Sequence, residues 1–374
     1  MKSLLPLLQA IGHDKLNLDI SNINTPLINF ITDSGMAAYF NYCTQNSANS
    51  LPETDKNKIY SATLTAKIIT NTLLNSLKEI LDSSDQCHSD IILLKGISHA
   101  QCLYPSPWFR IMSDIDLLVS EIDLEIMKNI LFELGFIQTS INPQKFYDSH
   151  HHIMPFHNKK NNVWIEIHTH LFSTTTDVRK DSLFNINEIG KNSCDIKNTP
   201  YHKNVKKLCP ELHLIYTCVH WAEDYNLYKT GLQFTDIILL IKRENIDWIK
   251  TVNWLSNTTS ASYVYLALSY LEQSDAIEIP TDFFKSCNLK HKNMGYLNKY
   301  ILFKIIDNYF LGKKRYNNFF NENNLKIIWS TLLKPSPSLH NLFFLPINIV
   351  FPPANADRFK LHFITNRILS LFVK

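Results

Sequence analysis

The chain has 374 residues, of which 45% are hydrophobic and 19% are charged. This is an ordinary globular composition, with enough apolar material for one large or two modest domains. Lys and Arg number 37 and Asp and Glu number 34, which gives a formal net charge of +3. This near balance argues against a broad cationic surface and therefore against extended DNA binding. It is compatible with a local groove that binds RNA or a nucleotide.

The seven cysteines include no pair with CxxC spacing, so they match neither a zinc ribbon nor a disulfide framework, and we interpret them as free thiols in a reducing compartment. The N-terminal apolar run lacks a small-residue cleavage site and predicts a helix rather than a signal peptide. The apolar stretch Leu342–Phe351 is interrupted by Pro346 and is shorter than the roughly 20 residues that span a bilayer. We therefore expect a cytoplasmic protein without a membrane partner.

In chain order, residues 1–85 predict a helical segment, because Ile59–Leu81 has apolar residues at helical spacing and no Gly or Pro. Residues 86–205 predict an α/β core. The core begins with Ile91–Leu94, a wholly apolar run that is typical of a buried strand and is followed by a turn at Lys95-Gly96.

Two further predicted strands carry acidic residues. Alternation at the start of the strand that includes Ile115–Val119 places Asp114 and Asp116 on one face. The run Trp164–His168 alternates in the same way and places Glu166 and His168 on one face of a third strand.

Helices complete the predicted architecture. Residues 123–134, closed by Gly135, predict a helix between the two acidic strands. Residues 206–374 predict a helical C-terminal domain. The sequence therefore predicts an α+β fold, in which a small mixed β-sheet is embedded in mostly helical N- and C-terminal segments.

Asp114, Asp116 and Glu166 are the candidate catalytic and metal-binding residues. Carboxylates on buried strands are costly unless they are neutralised, and two on the same face repel each other. Mg²⁺ removes this cost, because it prefers hard oxygen ligands and completes its shell with substrate phosphates. Three carboxylates would allow two ions about 3.5–4 Å apart, with Mn²⁺ as an alternative. One ion would activate an attacking hydroxyl, and the other would hold the triphosphate.

A second candidate group precedes these carboxylates and would bind phosphate. Gly96 permits a tight turn, and the amides at the following helix start, together with the hydroxyl of Ser98, can donate to phosphate oxygens. Lys95 and Arg110 can neutralise phosphate charge. His168 is interpreted either as a residue that polarises a phosphate or orients Glu166, or as a structural hydrogen-bonding residue.

Several of these motifs resemble the uncharacterised bacterial nucleotidyltransferase family of the DNA polymerase β-like superfamily. The motifs that carry the resemblance are Leu94-Lys95-Gly96, Tyr104, Arg110, Ser113-Asp114-Ile115-Asp116-Leu117-Leu118-Val119, Leu134-Gly135-Phe136, the histidine-rich Ser149–Pro155, Ile165-Glu166-Ile167-His168, the helical segment Leu212–Trp221 and Asp236-Ile237. The resemblance extends from the N-terminal helices to about residue 270. In the superfamily the first motif is usually Gly-Gly or Gly-Ser before a helix, so Lys95-Gly96 is a departure that bears on the phosphate contacts.

The resemblance implies metal ligands at Asp114, Asp116 and Glu166, and transfer of a nucleoside monophosphate from an NTP to an acceptor. We favour ATP as the donor and a hydroxyl of a small molecule, a protein or an RNA as the acceptor. Two alternatives stay open. The chain could be a non-catalytic module that binds a nucleotide or a partner, or a phosphoryl transferase that uses the same metal site.

The run His150-His151-His152, with His157 nearby, has three interpretations. Its spacing matches no common closed zinc site, and four imidazole ligands without a cysteine would be unusual. A loop near the active site with one histidine on the substrate is favoured over zinc, and an inert polar turn is the remaining alternative.

Overall fold

The computed structural model describes residues 4–13, 20, 23–44, 51–196, 204–224, 230–256, 258–288, 296–310, 329 and 332. The apolar stretch Leu342–Phe351 and most of the predicted C-terminal helical domain beyond residue 310 lie outside the described residues. Within the described part of the chain, no helix combines the length and the apolar character that crossing a bilayer requires.

The N-terminal segment is helical, as predicted. Its helices are α1 (Leu5–Gly12), α2 (Thr25–Asp33), α3 (Ala37–Thr44) and α4 (Glu53–Asp82). Helix α2 begins where the side chain of Asn24 accepts a hydrogen bond from the amide of Leu27 at 3.0 Å, which satisfies one of the free N–H groups at the helix start. The long helix α4 lacks Gly and Pro, so nothing in its sequence interrupts it.

The described residues of the core build a seven-stranded mixed sheet in the order β3-β4-β5-β2-β1-β7-β6. The strands are β1 (Ile91–Leu93), β2 (Asp114–Leu118), β3 (Ile137–Gln138), β4 (Phe156–Asn158), β5 (Val163–His168), β6 (Ser193–Asp195) and β7 (Val205–Leu208). The three predicted strands are confirmed as β1, β2 and β5, which are the three adjacent central strands. The short outer strands did not show a clear apolar alternation in the sequence.

Parallel pairing of β2 with β5 fixes the geometry of the acidic residues. In this register Asp116 lies opposite Glu166, and Asp114 lies opposite Trp164. Strand β2 also pairs antiparallel with β1, so both acidic strands lie in the middle of the sheet. This register, together with the alternation in each strand, places the carboxylates of Asp116 and Glu166 next to each other on one face of the sheet.

The remaining described helices lie between the strands of the core or follow the last strand. They are α5 (Lys95–Cys102), α6 (Leu124–Glu133), α7 (Gln144–Tyr147), α8 (Ile186–Lys191), α9 (Pro210–Asp224), α10 (Thr230–Arg243), α11 (Trp248–Leu255), α12 (Ser260–Gln273), α13 (Thr281–Asn288) and α14 (Tyr296–Phe310). With the mixed sheet, they make the fold α+β, as predicted.

The N-terminal and C-terminal helices share one hydrophobic core. The backbone amide of Leu4 donates to the carbonyl of Phe310 at 3.3 Å, and Lys242 Nζ donates to the carbonyl of Gly12 at 2.7 Å. A side chain at Gly12 would collide with the carbonyl of Ala276, because its Cβ would lie 1.9 Å from that oxygen. The helical segments therefore pack on each other as well as on the sheet, and the cavity described below lies where they meet it.

Candidate active site

A cavity of about 940 Å³ lies between the central strands and the surrounding helices. Its walls come from the ends of β2 and β5, the start of α5, the loop before β4, and helices α4, α9 and α10. The lining residues include Asp33, Ile68, Ile69, Lys95, Gly96, Arg110, Asp114, Asp116, His150, His151, His152, Trp164, Glu166, Tyr216, Gln233 and Asp236. A volume of this size is within the range that binds a small ligand.

Two carboxylates converge at the most buried part of this cavity. Asp116 is 2% exposed, and its Oδ1 accepts a hydrogen bond from Lys95 Nζ at 2.7 Å and from His168 Nε2 at 2.8 Å. Glu166 Oε2 lies 3.5 Å from Lys95 Nζ and 3.6 Å from His168 Nε2. The ligand atoms of Asp116, Glu166 and His168 all lie within 4.8 Å of one another, so three side chains from β2 and β5 form one compact polar group.

The electrostatics of this group keep both carboxylates ionised. Burial alone would raise the pKa of Asp116, but the Lys95 ammonium and the hydrogen bond from His168 outweigh it and hold that pKa below its usual range. Burial likewise opposes ionisation of Glu166, while His168 and Lys95 lower its pKa well below normal. Burial also disfavours the charged form of Lys95, yet Asp116 raises the Lys95 pKa well above its ordinary value. Asp116, Glu166 and Lys95 are therefore all charged near neutral pH.

The backbone delivers Lys95 to this position by an unusual conformation. Lys95 has φ of +44°, in the left-handed region where a side chain costs of order 1–3 kcal/mol. The amide of Leu94 donates to the carbonyl of Asp116 at 3.0 Å, which fixes the turn against β2. At Gly96 the structure shows close packing rather than the expected tight turn, because a Cβ there would lie 3.3 Å from the Cβ of Met112.

Asp114 lies at the same edge of the sheet but outside the compact group. It lines the cavity and accepts a hydrogen bond from Ser113 Oγ at 3.1 Å. The group whose ligand atoms lie within 4.8 Å contains Asp116, Glu166 and His168 without Asp114. The structure thus brings Asp116 and Glu166 together, and it places Asp114 next to them on the cavity wall.

Arg110 belongs to a buried ion-pair network. Its Nε and Nη2 atoms donate to the completely buried carboxylate of Asp236 at 2.8–3.0 Å, and Nη1 donates to the carbonyl of Ile111 at 2.6 Å. Tyr104 OH donates to Asp236 Oδ1 at 2.8 Å, and His99 Nδ1 lies 3.2 Å from Oδ2. Burial opposes ionisation of Asp236, but Arg110 and His99 hold its pKa below its usual range. Much of the guanidinium is therefore engaged in bracing helix α10.

We expect Asp236→Asn to lower the free energy of unfolding by about 3–5 kcal/mol, because it leaves a buried guanidinium without its counter-charge. Urea unfolding followed by circular dichroism measures the change. The matched control is Asp82→Asn, which removes the exposed ion pair with Lys78 and should cost less than about 1 kcal/mol. Equal small effects for the two variants would contradict the structural role of Asp236.

Ser98 does not reach the cavity. Its side chain is completely buried, and it is not among the residues that line the cavity. The predicted contact between its hydroxyl and a phosphate is therefore unsupported in this conformation. The sequence could not reveal this, because the phase of a short helix relative to the sheet depends on packing.

The histidine run lies on the cavity wall beside Glu166. His152 Nε2 is 3.6 Å from Glu166 Oε2, and the ligand atoms of His150, His151 and His152 all lie within 4.8 Å of one another. His157 is separate, since it stacks on Trp164 with ring centroids 4.1 Å apart. The run is thus part of the cavity rather than an isolated surface turn.

These histidines are neutral near pH 7. Burial lowers the pKa of His150 to about 4, assisted by His152. Burial also lowers the pKa of His151 and His152 and lowers that of the fully buried His213 well below its ordinary value. Protonation of any of these rings therefore opposes folding.

We expect the free energy of unfolding to fall as the pH is lowered from about 7 to about 5, because the unfolded chain binds protons on these histidines near an ordinary pKa of about 6.5. The folded protein takes up these protons only at lower pH. Since the unfolded state then holds more protons, stability rises with pH across this window. Urea unfolding at several pH values measures the slope, and His213→Leu should flatten it. A stability that rises on acidification would contradict the assignment.

Sequence reasoning found the acidic strands but missed the long-range partners. Asp236 as the partner of Arg110, and His152 beside Glu166, are neighbours in the cavity wall that no local spacing reveals. Asp236 is separated from Arg110 by 126 positions. The sequence signals for Asp236 were a carboxylate beside the apolar run Ile237–Ile241 and the Asp236-Ile237 motif of the family resemblance.

The mixed sheet, its flanking helices and the opposed carboxylates beside a lysine–glycine turn make an α+β protein with an acidic cavity at the centre of its sheet. The model of a family described as uncharacterised nucleotidyltransferase matches residues 25–274, and the chain belongs to this family. The matched stretch includes every residue that lines the cavity. No curated protein and no solved structure matches the chain.

Proposed function

We propose that this protein is a metal-dependent nucleotidyltransferase that moves an NMP unit, AMP in preference to others, from an NTP to a hydroxyl group of a small molecule, a protein or an RNA. The observation that carries this proposal is the pairing of Asp116 with Glu166 across adjacent strands at the buried end of a large cavity. Family membership supports nucleotidyl transfer as the general reaction.

The donor set fits a divalent cation. Asp116 and Glu166 are ionised and close together, and two buried carboxylates require a positive charge nearby. Hard carboxylate oxygens are the ligands that Mg²⁺ and Mn²⁺ prefer. In this proposal Asp116 and Glu166 hold the metal, and Asp114 on the adjoining wall contributes to a second ion. When bound, the ions supply positive charge that stabilises the triphosphate and the leaving pyrophosphate.

Lys95 is the counter-charge of the carboxylates in the absence of substrate, and we assign it a second role when the NTP binds. The ammonium group of Lys95 is a point charge on a flexible stem, so the side chain can turn from Asp116 towards a phosphate. The first amides of α5, at Lys95 and Gly96, adjoin the cavity and suit an anionic phosphate. Arg110 lines the same cavity and adds positive potential there from within its ion pair.

Glu166 and His168 support the acceptor side of the reaction. Glu166 is the more exposed of the two central carboxylates, so it can accept a hydrogen bond from an acceptor hydroxyl and orient it. The imidazole of His168 is completely buried and holds Asp116 by its hydrogen bond, so its role is to position that carboxylate. The proposal therefore assigns His168 this positioning role and not the direct contact with a phosphate that was the other prediction.

The rest of the cavity offers surfaces for the base and the acceptor. Trp164 lines the cavity, and His157 stacks on one face of its ring. Aromatic side chains stack on nucleobases, so Trp164 is a candidate contact for the base. Ile68 and Ile69 of α4 add an apolar wall. These surfaces are consistent with ATP as the donor. The chemical class of the acceptor is determined by the experiment below.

The test uses the full chain with Mg²⁺, candidate acceptors and ATP labelled on either the α or the γ phosphate. Transfer of the α label supports the proposal. Transfer of the γ label alone would show a phosphoryl transferase instead, and nucleotide binding without transfer of either label would show a binding module. The control is the Asp114→Ala/Asp116→Ala double variant, which should transfer neither label.

A further inference from the structure

The cavity contains a second group of potential ligands that the proposed transfer does not use. It is the histidine group, defined here as His150, His151 and His152, in the loop between α7 and β4. The loop is tied to the end of β5, since the amides of Thr169 and His170 donate to the carbonyl of His151 at 3.1 and 3.2 Å. The backbone that carries the three rings is consequently held against β5.

The nitrogen atoms of this group lack ordinary partners. The Nδ1 atoms of His150 and His151 are buried and have no hydrogen-bond partner among the described residues. An unpaired buried polar atom costs about 1–3 kcal/mol. Ring stacking explains part of the arrangement, because the rings of His150 and His151 are 4.3 Å apart, but stacking does not satisfy the nitrogen atoms.

The tautomer of His152 can be assigned from its neighbours. Its Nδ1 lies 2.7 Å from the carbonyl oxygen of Ile153, and because a carbonyl only accepts, Nδ1 carries the proton. Nε2 is then the ring nitrogen left to bind a ligand, and it lies 3.6 Å from Glu166 Oε2 at the cavity wall. A histidine that binds a metal through one nitrogen commonly donates its other N–H to a carbonyl in this way.

We propose that His150, His151 and His152 bind one transition-metal ion of the Zn²⁺ class, at a site separate from the Mg²⁺ ligands. Imidazole nitrogens suit Zn²⁺, whereas Mg²⁺ prefers the carboxylate oxygens of Asp116 and Glu166. Three protein ligands would leave a fourth position for a further ligand, and the three histidines line the cavity. A metal held by them would fix the loop against β5.

The test is a titration of metal-free, full-length protein with Zn²⁺ and with Co²⁺ in the presence of excess Mg²⁺, followed by calorimetry and by the Co²⁺ absorption spectrum. We expect one Zn²⁺ per chain. The His150→Ala/His151→Ala variant should bind Zn²⁺ at least about 100-fold more weakly, since loss of an outer-shell partner alone costs 10–100-fold. His157→Ala is the matched control and should bind as the wild type does.

Two outcomes would overturn the proposal: absence of Zn²⁺ binding by the wild type, or equal binding by the wild type and the double variant. If the double variant is unfolded by circular dichroism, the single variant His150→Ala provides the same comparison at a partly exposed position. Asp116→Asn should retain Zn²⁺ binding, so failure of this site and failure of the proposed transfer reaction are distinguished.

Discussion

Replacing Asp116 with Asn should reduce nucleotidyl transfer by at least about 100-fold to 1,000-fold, the loss that follows removal of one group that stabilises transition-state charge. Asn has the shape of Asp but lacks the negative charge that a divalent cation requires. The fold should persist, because Lys95 keeps Glu166 as a partner at 3.5 Å. His168 can still donate its hydrogen bond to the amide oxygen. Initial rates of label transfer, with circular dichroism of each variant, measure the effect.

The matched control for this substitution is Asp123→Asn. Asp123 is also buried, but it accepts hydrogen bonds from the backbone amides of His88 and Ser89 and does not line the cavity. This variant should lose stability and keep its transfer rate when folded. Full activity in Asp116→Asn would contradict the assignment of Asp116 as a metal ligand.

The second large effect is expected for Lys95→Met, which should separate metal binding from catalysis. Removing the ammonium leaves Asp116 and Glu166 without a counter-charge, so Mn²⁺ should bind the nucleotide-free variant at least about tenfold more tightly, a change of about 1.4 kcal/mol. Transfer should nevertheless fall by at least about 100-fold, because the phosphates lose a preorganised positive charge. Calorimetric titration with Mn²⁺ tests the expected gain in metal affinity, and initial rates of label transfer test the expected loss of catalysis.

Lys206→Met is the control for Lys95→Met. Lys206 pairs with Asp90 at 2.6 Å on β7, outside the residues that line the cavity. Its substitution should change neither Mn²⁺ binding nor transfer. If Lys95→Met instead binds Mn²⁺ with unchanged or weaker affinity, Lys95 does not compete with a cation for the carboxylates.

The central strands and their carboxylates could be predicted because a strand has a fixed period. Alternation alone places Asp114 with Asp116, and Glu166 with His168, on one face of each strand. A wholly apolar run followed by Lys95-Gly96 similarly indicated where β1 ends. These features depend on local sequence, and the structure confirms the strands that carry them.

What the sequence could not provide depends on packing between distant elements. The pairing of Arg110 with Asp236 joins the segment before β2 to helix α10, and no local pattern encodes it. The left-handed backbone conformation of Lys95 could not be predicted either, since residue propensities favour glycine in that conformation. The orientation of Ser98 depends on how α5 rotates against its neighbours. Helix phase is set by such tertiary contacts.

The metal centre can be tested most directly by titrating Mn²⁺, followed by electron paramagnetic resonance, into the wild type and Asp116→Asn with and without a non-hydrolysable ATP analogue. We predict that the wild type binds Mn²⁺ tightly only when the analogue is present, because the analogue draws Lys95 away from the carboxylates and completes the metal's shell. Asp116→Asn should lose this binding. Identical titrations for the two proteins in the presence of the analogue would contradict a metal site at Asp116 and Glu166.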